Sequence, residues 1–484
     1  MSDWPLLDHL LRRAGFGATP AERDDYASMS YNEVVEDLLT FDPATTDIDQ
    51  FIGTPGYLGF TARNGFKPNT VIADARQRWI FRMVHSPAPL QEKMALFWHH
   101  HFATAYSKLA GTYGASVGTR MMAAKPSEDT ARTRGQIELF RQLGLGKFSD
   151  LLVEVAKDPA MIVWLDGRTN VRTAPQENFG RELMELFTFG IGNYVEADVY
   201  AAARVFTGWN LAQRGTRNTT TEYYTFNYRA AQHDTAAKTF TFPIYSNGSK
   251  VIPARSGDAG IQDGLDLIAA LAVHPETARR LSRRLWNWFV SEVEAPDEAW
   301  VERIAGVYLG SGTDMRQVMG DVLRSSQFRS SRHYFHRYAW PVEYVVRSLK
   351  EMGHVGFSAN DTLTPMLNMG QQLFEPPDVN GWALGPAWFS TGGMLARMNF
   401  AAALATNQRF ELRNGSRPYK QSPQALIDYA ISRLSLPDVP APVYNALVDY
   451  VRAGGTWTGS DAQLLTKAGG VFHLLTGSGE YQFV

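Results

Sequence analysis

Apolar side chains recur at intervals of three and four residues through most of this chain. That period fits packed amphipathic helices and little else. Ile72, Ala75, Trp79 and Met83 follow it, as do Leu90, Met94, Phe97 and His101. So do Val199, Ala202, Phe206 and Trp209, and again Ala278, Leu281, Leu285 and Trp288. Helix starts are marked by the capping boxes Thr19-Pro-Ala-Glu22 and Ser30-Tyr-Asn-Glu33, in which side chain and backbone satisfy each other's orphan donors. The spacing predicts helices over 8–14, 71–84, 132–143, 177–189 and 196–207, with others from about Leu90 and Ser149. Residues 41–69 and 371–392 read as loops, and 103–130 as less regular.

One stretch breaks the pattern. Residues 211–257 are rich in Thr, Tyr and Phe, and Asn247-Gly248 is a type I′ turn signal; together they predict a small β insertion. Helical spacing resumes from Asp258. No fixed-period repeat and no βα alternation occurs, which argues against Rossmann and barrel folds. The expected fold is mainly α: one large multi-helix, orthogonal, bundle-like domain over 1–484 with a β-hairpin insertion at 211–257. Sub-lobes at 1–210 and 258–484 are the alternative division.

Composition narrows the chemistry. The chain has no cysteine, which excludes disulfides, thiolate metal sites and cysteine nucleophiles. Its 47 basic and 49 acidic residues nearly cancel, to −2, which argues against a nucleic-acid binder held by phosphate contacts. No apolar run is long enough to span a bilayer. The N-terminus lacks a basic segment followed by an apolar one. The expected location is cytoplasmic, or exported and envelope-associated if a leader has been removed.

Four constellations could carry chemistry. His99-His100-His101 offers imidazole ligands, but consecutive helical residues point 100° apart, so at most His99 and His101 could share an ion. Asn178-Phe-Gly-Arg-Glu-Leu-Met-Glu185 places Asn178, Arg181, Glu182 and Glu185 on one arc. That arc is either a solvated face with an Arg181–Glu185 ion pair or one wall of a cleft with paired carboxylates for acid–base work. His233-Asp234 with Lys238 is either a turn or an acid–base pair. Phe374-Glu-Pro-Pro-Asp-Val-Asn-Gly-Trp382, followed by Trp388 and Arg397, is either a packed loop or a tryptophan platform for a sugar. Gly114-Ala-Ser116-Val-Gly118 matches a nucleophile elbow, but the preceding segment is a poor buried strand.

Several of these segments, in order along nearly the whole chain, resemble the domain-of-unknown-function 1800 family. They are His9–Gly17, Phe97–Thr104, Asn178–Gly190, Tyr200–Trp209, His233-Asp234 with Lys238, Pro376–Trp382 and the ending Gly479–Gln482. The resemblance implies a large, mostly helical bacterial protein, often exported, and a phosphatase- or sulfatase-like partner. Some members carry His where this chain has Phe187.

The resemblance also implies one shared polar cleft. On that reading Glu182, Glu185, His233 and Asp234 are catalytic. Asn178, Arg181, Arg204, Lys238, Trp382 and Arg397 bind substrate, and His99 and His101, with Glu, hold a divalent metal. The expected activity is that of a hydrolase or lyase on a carbohydrate-like or anionic polar substrate. The alternatives are a metal-dependent oxidoreductase and a non-catalytic scaffold whose motif residues form a buried network.

Overall fold

The structure, a computed structural model, describes residues 4–42, 47–436 and 439–484. The first three residues of the N-terminus and residues 43–46 of the expected 41–69 loop lie outside them. The described residues form 24 α-helices and two two-stranded antiparallel sheets, a mainly α protein with a small β insertion. Among them, no helix is long and apolar enough to cross a membrane. Buried apolar side chains from Leu7 to Val484 make one continuous cluster.

Local signals set many of the boundaries. At Thr19 and Ser30 both halves of each capping box form, with Glu22 and Glu33 accepting from the cap N–H. Asp158 caps the Pro159–Trp164 helix, accepting from Met161 N at 3.2 Å, and also accepts from Gln136 Nε2 at 2.8 Å. The less regular stretch proves to hold two helices, Tyr106–Tyr113 and Ala115–Ala123, meeting at Gly114. Ser116 therefore follows a helix rather than a strand, and no nucleophile elbow exists.

The insertion begins two residues earlier than expected. Trp209 leaves the helical stripe, since the helix Glu196–Val205 has ended, and opens β1 (Trp209–Arg214). β1 pairs antiparallel with β2 (Tyr223–Tyr228), Trp209 lying opposite Tyr228. β3 (Lys238–Thr239) pairs with β4 (Val251–Ile252). Asn247-Gly248 does turn the chain, but only Gly248 has positive φ, +82°. A type I′ turn needs two such residues, so the turn is of another type.

Two helices, Pro89–His101 and Pro341–Met352, are buried on every side. Both carry charges, and these find partners in the interior. Lys93 and Arg337 pair with Glu343. Arg141 bonds Glu92 at 2.7 Å and Glu138 at 2.9 Å. Arg347 bonds Glu351 at 2.9 Å, and Tyr481 donates to the same carboxylate at 2.7 Å. Many of the chain's balanced charges are thus paired inside the fold, where an unpaired charge would be costly.

Burial outweighs the hydrogen bonds to Asp158 and pushes its carboxyl up to about 7. A raised acid pKa means the native state holds a proton that the unfolded chain has lost. Stability therefore falls as pH rises from about 4 to about 7. Asp158→Asn retains an acceptor for Met161 and Gln136 without the charge. It should raise stability at pH 8 by roughly 2–4 kcal/mol and have little effect at pH 4, as urea denaturation at the two pH values will show.

Candidate functional site

The Asn178–Gly190 segment is not one regular helix. An α-helix, Asn178–Glu182, passes into a π-helical turn over Leu183–Phe187. Thr188 Oγ1 donates to the Leu183 carbonyl at 2.6 Å, and Gly190 N–H closes the end on the Met184 carbonyl at 2.9 Å. A second π turn, Trp286–Val290, continues the helix Pro275–Leu285, with Ser291 N–H reaching the Trp286 carbonyl at 3.0 Å. π turns concentrate at functional sites because they re-aim side chains that a regular helix would place elsewhere.

These elements wall an open cleft of about 440 Å3. Glu185, Leu186, Phe189 and Gly190 line one side, and Glu276, Arg280, Arg283, Arg284 and Asn287 the other. Burial and the bond that Tyr194 Oη donates to Glu185 together raise the phenol pKa to about 12. Glu182 is half-buried, and its pKa is raised by burial and by the charge of Glu185. Arg181 bonds Glu196 at 2.8 Å and Glu177 at 3.1 Å instead of Glu185. The π turn explains the change of partner, because four-residue spacing no longer brings positions 181 and 185 together.

The histidine helix lies behind the cleft. Burial first, and then the charge of Arg284, keeps the His100 and His101 imidazoles neutral. His101 Nε2 lies 3.1 Å from the Phe187 carbonyl on the first π turn. His100 Nδ1 accepts from Trp382 N–H at 3.2 Å, so its proton is on Nε2. The Pro376–Trp382 loop is docked onto the histidine helix.

The histidine helix, the Asn178–Gly190 segment and the Pro376–Trp382 loop, all carriers of the resemblance, are thus joined in space. The family model for proteins of unknown function, DUF1800, matches residues 9–483. The chain belongs to this family. No curated protein and no solved structure matches it.

Family membership does not bring every motif residue to the cleft. His99 sits among Trp79, Phe374 and Trp382, with Nε2 buried and unpartnered among the described residues. Burial lowers its pKa to about 3. His101 faces Phe97, Trp98 and Phe187. The two imidazoles occupy separate aromatic surroundings. Among the described residues no group of three or more His, Asp or Glu side chains could hold a metal ion. The residues present do not fit the expected metal site.

His233, Asp234, Lys238 and Arg204 form a separate clasp. His233 and Lys238 both meet Asp263, at 3.1 and 2.5 Å, with all three side chains fully buried. Arg204 bonds Asp234 at 2.7 Å. The clasp ties the β insertion to the helix Ile261–Ala272, and its functional atoms are taken up by one another. Trp382 is buried against His99 and Trp340, with no face open to a sugar. Arg397 is fully buried too, bonding Gln482 and the Ala339 carbonyl and lying over the Tyr344 ring. Asn178 is exposed and donates to Asp166 at 3.1 Å. Of the expected residues, Glu185 lines the cleft and Glu182 lies close enough to feel its charge, while Arg181 is taken up by Glu177 and Glu196.

Sequence reasoning does not single out Arg280, Arg284, Tyr194 or Asp263, and it names His100 only as part of the histidine run. A signal for the first two exists. Arg279-Arg280 and Arg283-Arg284 repeat at four-residue spacing beside the apolar stripe of Ala278, Leu281 and Leu285, so one arginine of each pair flanks the packed face.

Proposed function

We propose that the protein is a hydrolase or lyase acting on a carbohydrate-like polar substrate by general acid–base chemistry in the Glu185 cleft. The supporting observation is the π turn that turns the Glu185 carboxylate onto the cleft wall, with Tyr194 bonded to it and Glu182 alongside. Glu185 accepts a proton from substrate or water, and Tyr194 holds its orientation. Glu182 is a carboxyl that holds its proton more tightly than an ordinary glutamate. Adjacent carboxyls in different surroundings divide acid and base roles in this way. The reaction needs neither His99 nor His101, the imidazoles expected to hold a metal.

The test is turnover of a panel of neutral, uronate-bearing and phosphorylated oligosaccharides, read as new reducing or unsaturated ends. Glu185→Gln should lower kcat about 100-fold or more, and Tyr194→Phe less. A panel with no turnover, or an undiminished Glu185→Gln variant, overturns the reading.

A scaffold is the second reading, favoured by the complete internal pairing of His233, Lys238 and Asp263. Its partner, on the resemblance, is a phosphatase- or sulfatase-like protein. Binding of such a protein by both wild type and Glu185→Gln, without turnover, would support it.

A further inference from the structure

The helix Pro275–Leu285 carries four arginines, and they divide into two kinds. Arg279 bonds Glu276 and Glu302, each at 2.6 Å, and Arg283 bonds Glu298 at 2.7 Å. Arg280 and Arg284 have no carboxylate within 4 Å among the described residues. Both reach toward one acceptor, the Leu186 carbonyl on the π turn, at 3.4 and 3.5 Å. Those are long contacts for hydrogen bonds. Arg280 Nε is buried and unpartnered among the described residues. Both side chains line the cleft.

Their surroundings also leave room for a ligand. Gly190, at φ +86°, lies against Arg280: a Cβ there would come within 3.2 Å of Nη1. A side chain at position 190 would crowd the guanidinium from the cleft side. Burial and mutual repulsion lower the Arg284 pKa to about 10, so this group remains cationic at neutral pH. The two cations sit four residues apart on one helix face with no carboxylate within 4 Å among the described residues; Glu185, on the same cleft, acts on Arg280 through its field and not through a bond, which leaves both guanidiniums with donors free for an anion. Guanidinium forks match the two oxygens of a carboxylate, phosphate or sulfate.

We propose that Arg280 and Arg284 together bind an oxyanion borne by the substrate: a carboxylate, phosphate or sulfate group on the molecule that Glu185 acts on. This rests on the cleft being the site proposed above, and it names the substrate class. The acidic group anchors on the arginine wall, and the reacting bond is presented to Glu185 opposite. Arg279 and Arg283, already paired, contribute field and no contact.

Calorimetric titration at constant ionic strength tests the proposal, with glucuronate, glucose 6-phosphate, inorganic sulfate and glucose as probes. At least one oxyanion should bind and glucose should not. Arg280→Gln and Arg284→Gln should each weaken binding about 10- to 100-fold. Arg279→Gln should leave it unchanged, and Arg280→Lys, which keeps the charge without the fork, should fall between. Circular dichroism melts confirm that each variant is folded. Preference for glucuronate over glucose 6-phosphate and sulfate, or the reverse, separates a carboxylate ligand from a tetrahedral oxyanion. Equal binding by wild type and both Gln variants, or no oxyanion binding at all, overturns the proposal. Glu185→Gln should keep oxyanion binding. Turnover of a neutral sugar without oxyanion binding would sink this inference alone, and oxyanion binding without any turnover would sink the acid–base reading alone.

Discussion

Replacing Arg82 by methionine is expected to cost about 3–5 kcal/mol of stability at pH 7, the usual penalty for removing one partner of a buried ion pair. Arg82 is 1% exposed. Its Nε and Nη2 bond the two Asp49 oxygens at 2.7 and 2.5 Å, and Nη1 bonds Glu138 at 2.5 Å. Methionine of similar reach fills the space but strands both carboxylates. Lys125 still reaches Asp49 at 2.9 Å and Arg141 still reaches Glu138 at 2.9 Å, so the loss is partial. Arg82 holds Asp49 well below the usual carboxylate range and Glu138 at about 2. Depressed carboxylate pKa values give stability that is present above the unfolded pKa, about 4, and is lost as pH falls through the folded value. The gap between wild type and Arg82→Met should therefore narrow between pH 4 and pH 2. Urea denaturation across that range measures it. A gap that is constant with pH would mean the methionine acts through packing alone. Removing both acids as well, with Asp49→Asn and Glu138→Gln, should restore part of the stability.

Gly381→Ala is the second large effect. At φ +86° an L side chain is strained, and here the space is also taken: the added Cβ would lie 2.3 Å from His100 Nδ1 and 2.6 Å from the His100 carbonyl oxygen. The carbonyl belongs to a helix buried on all sides and cannot yield, so the loop must lift. Lifting it breaks the bond from Trp382 N–H to His100 and exposes Trp382. The expected cost is about 2–4 kcal/mol, measured as a lowered Tm. The imidazole nitrogen resonances of His100 give a sharper readout. Wild type should show the Nε2–H tautomer, and the variant a mixture. Wild-type stability with an unchanged His100 signal would show that the loop's docking is dispensable.

The helices are readable in the sequence because their information is local. Capping boxes at Thr19 and Ser30 and the stripe from Ile72 to Met83 act within a few residues, and the structure keeps them. The departures are equally physical. The helix Tyr106–Tyr113 buries Leu109 alone, and Ala115–Ala123 buries seven consecutive residues. Neither presents a stripe that the three-and-four period can detect. The π turns cannot be seen on a wheel that assumes regular pitch, and the expected Arg181–Glu185 pair depends on that pitch.

The candidate site divides the same way. Glu182 and Glu185 stand out as paired carboxylates by their spacing. His233, Lys238, Arg397 and Trp382 also stand out, and in the fold they turn inward. A polar residue in a motif reads the same in sequence whether its partner is a ligand or Asp263. Arg280 and Arg284 read as an ordinary polar flank, because whether a carboxylate comes within bonding distance is a fact about what surrounds them.

Local order along the chain is enough for the helical class, the place of the β insertion, the family and the exclusion of thiol chemistry. Those follow from periodicity, turn residues, ordered motifs and composition, none of which needs a distant contact. Which charges are satisfied is a matter of packing. Nearly equal numbers of acids and bases can pair in the interior or face each other across a cleft, and the linear order does not distinguish the two. Placing two charged helices at the centre drew their partners inward from distant segments. It left Arg280 and Arg284 on the cleft wall with no carboxylate within 4 Å among the described residues.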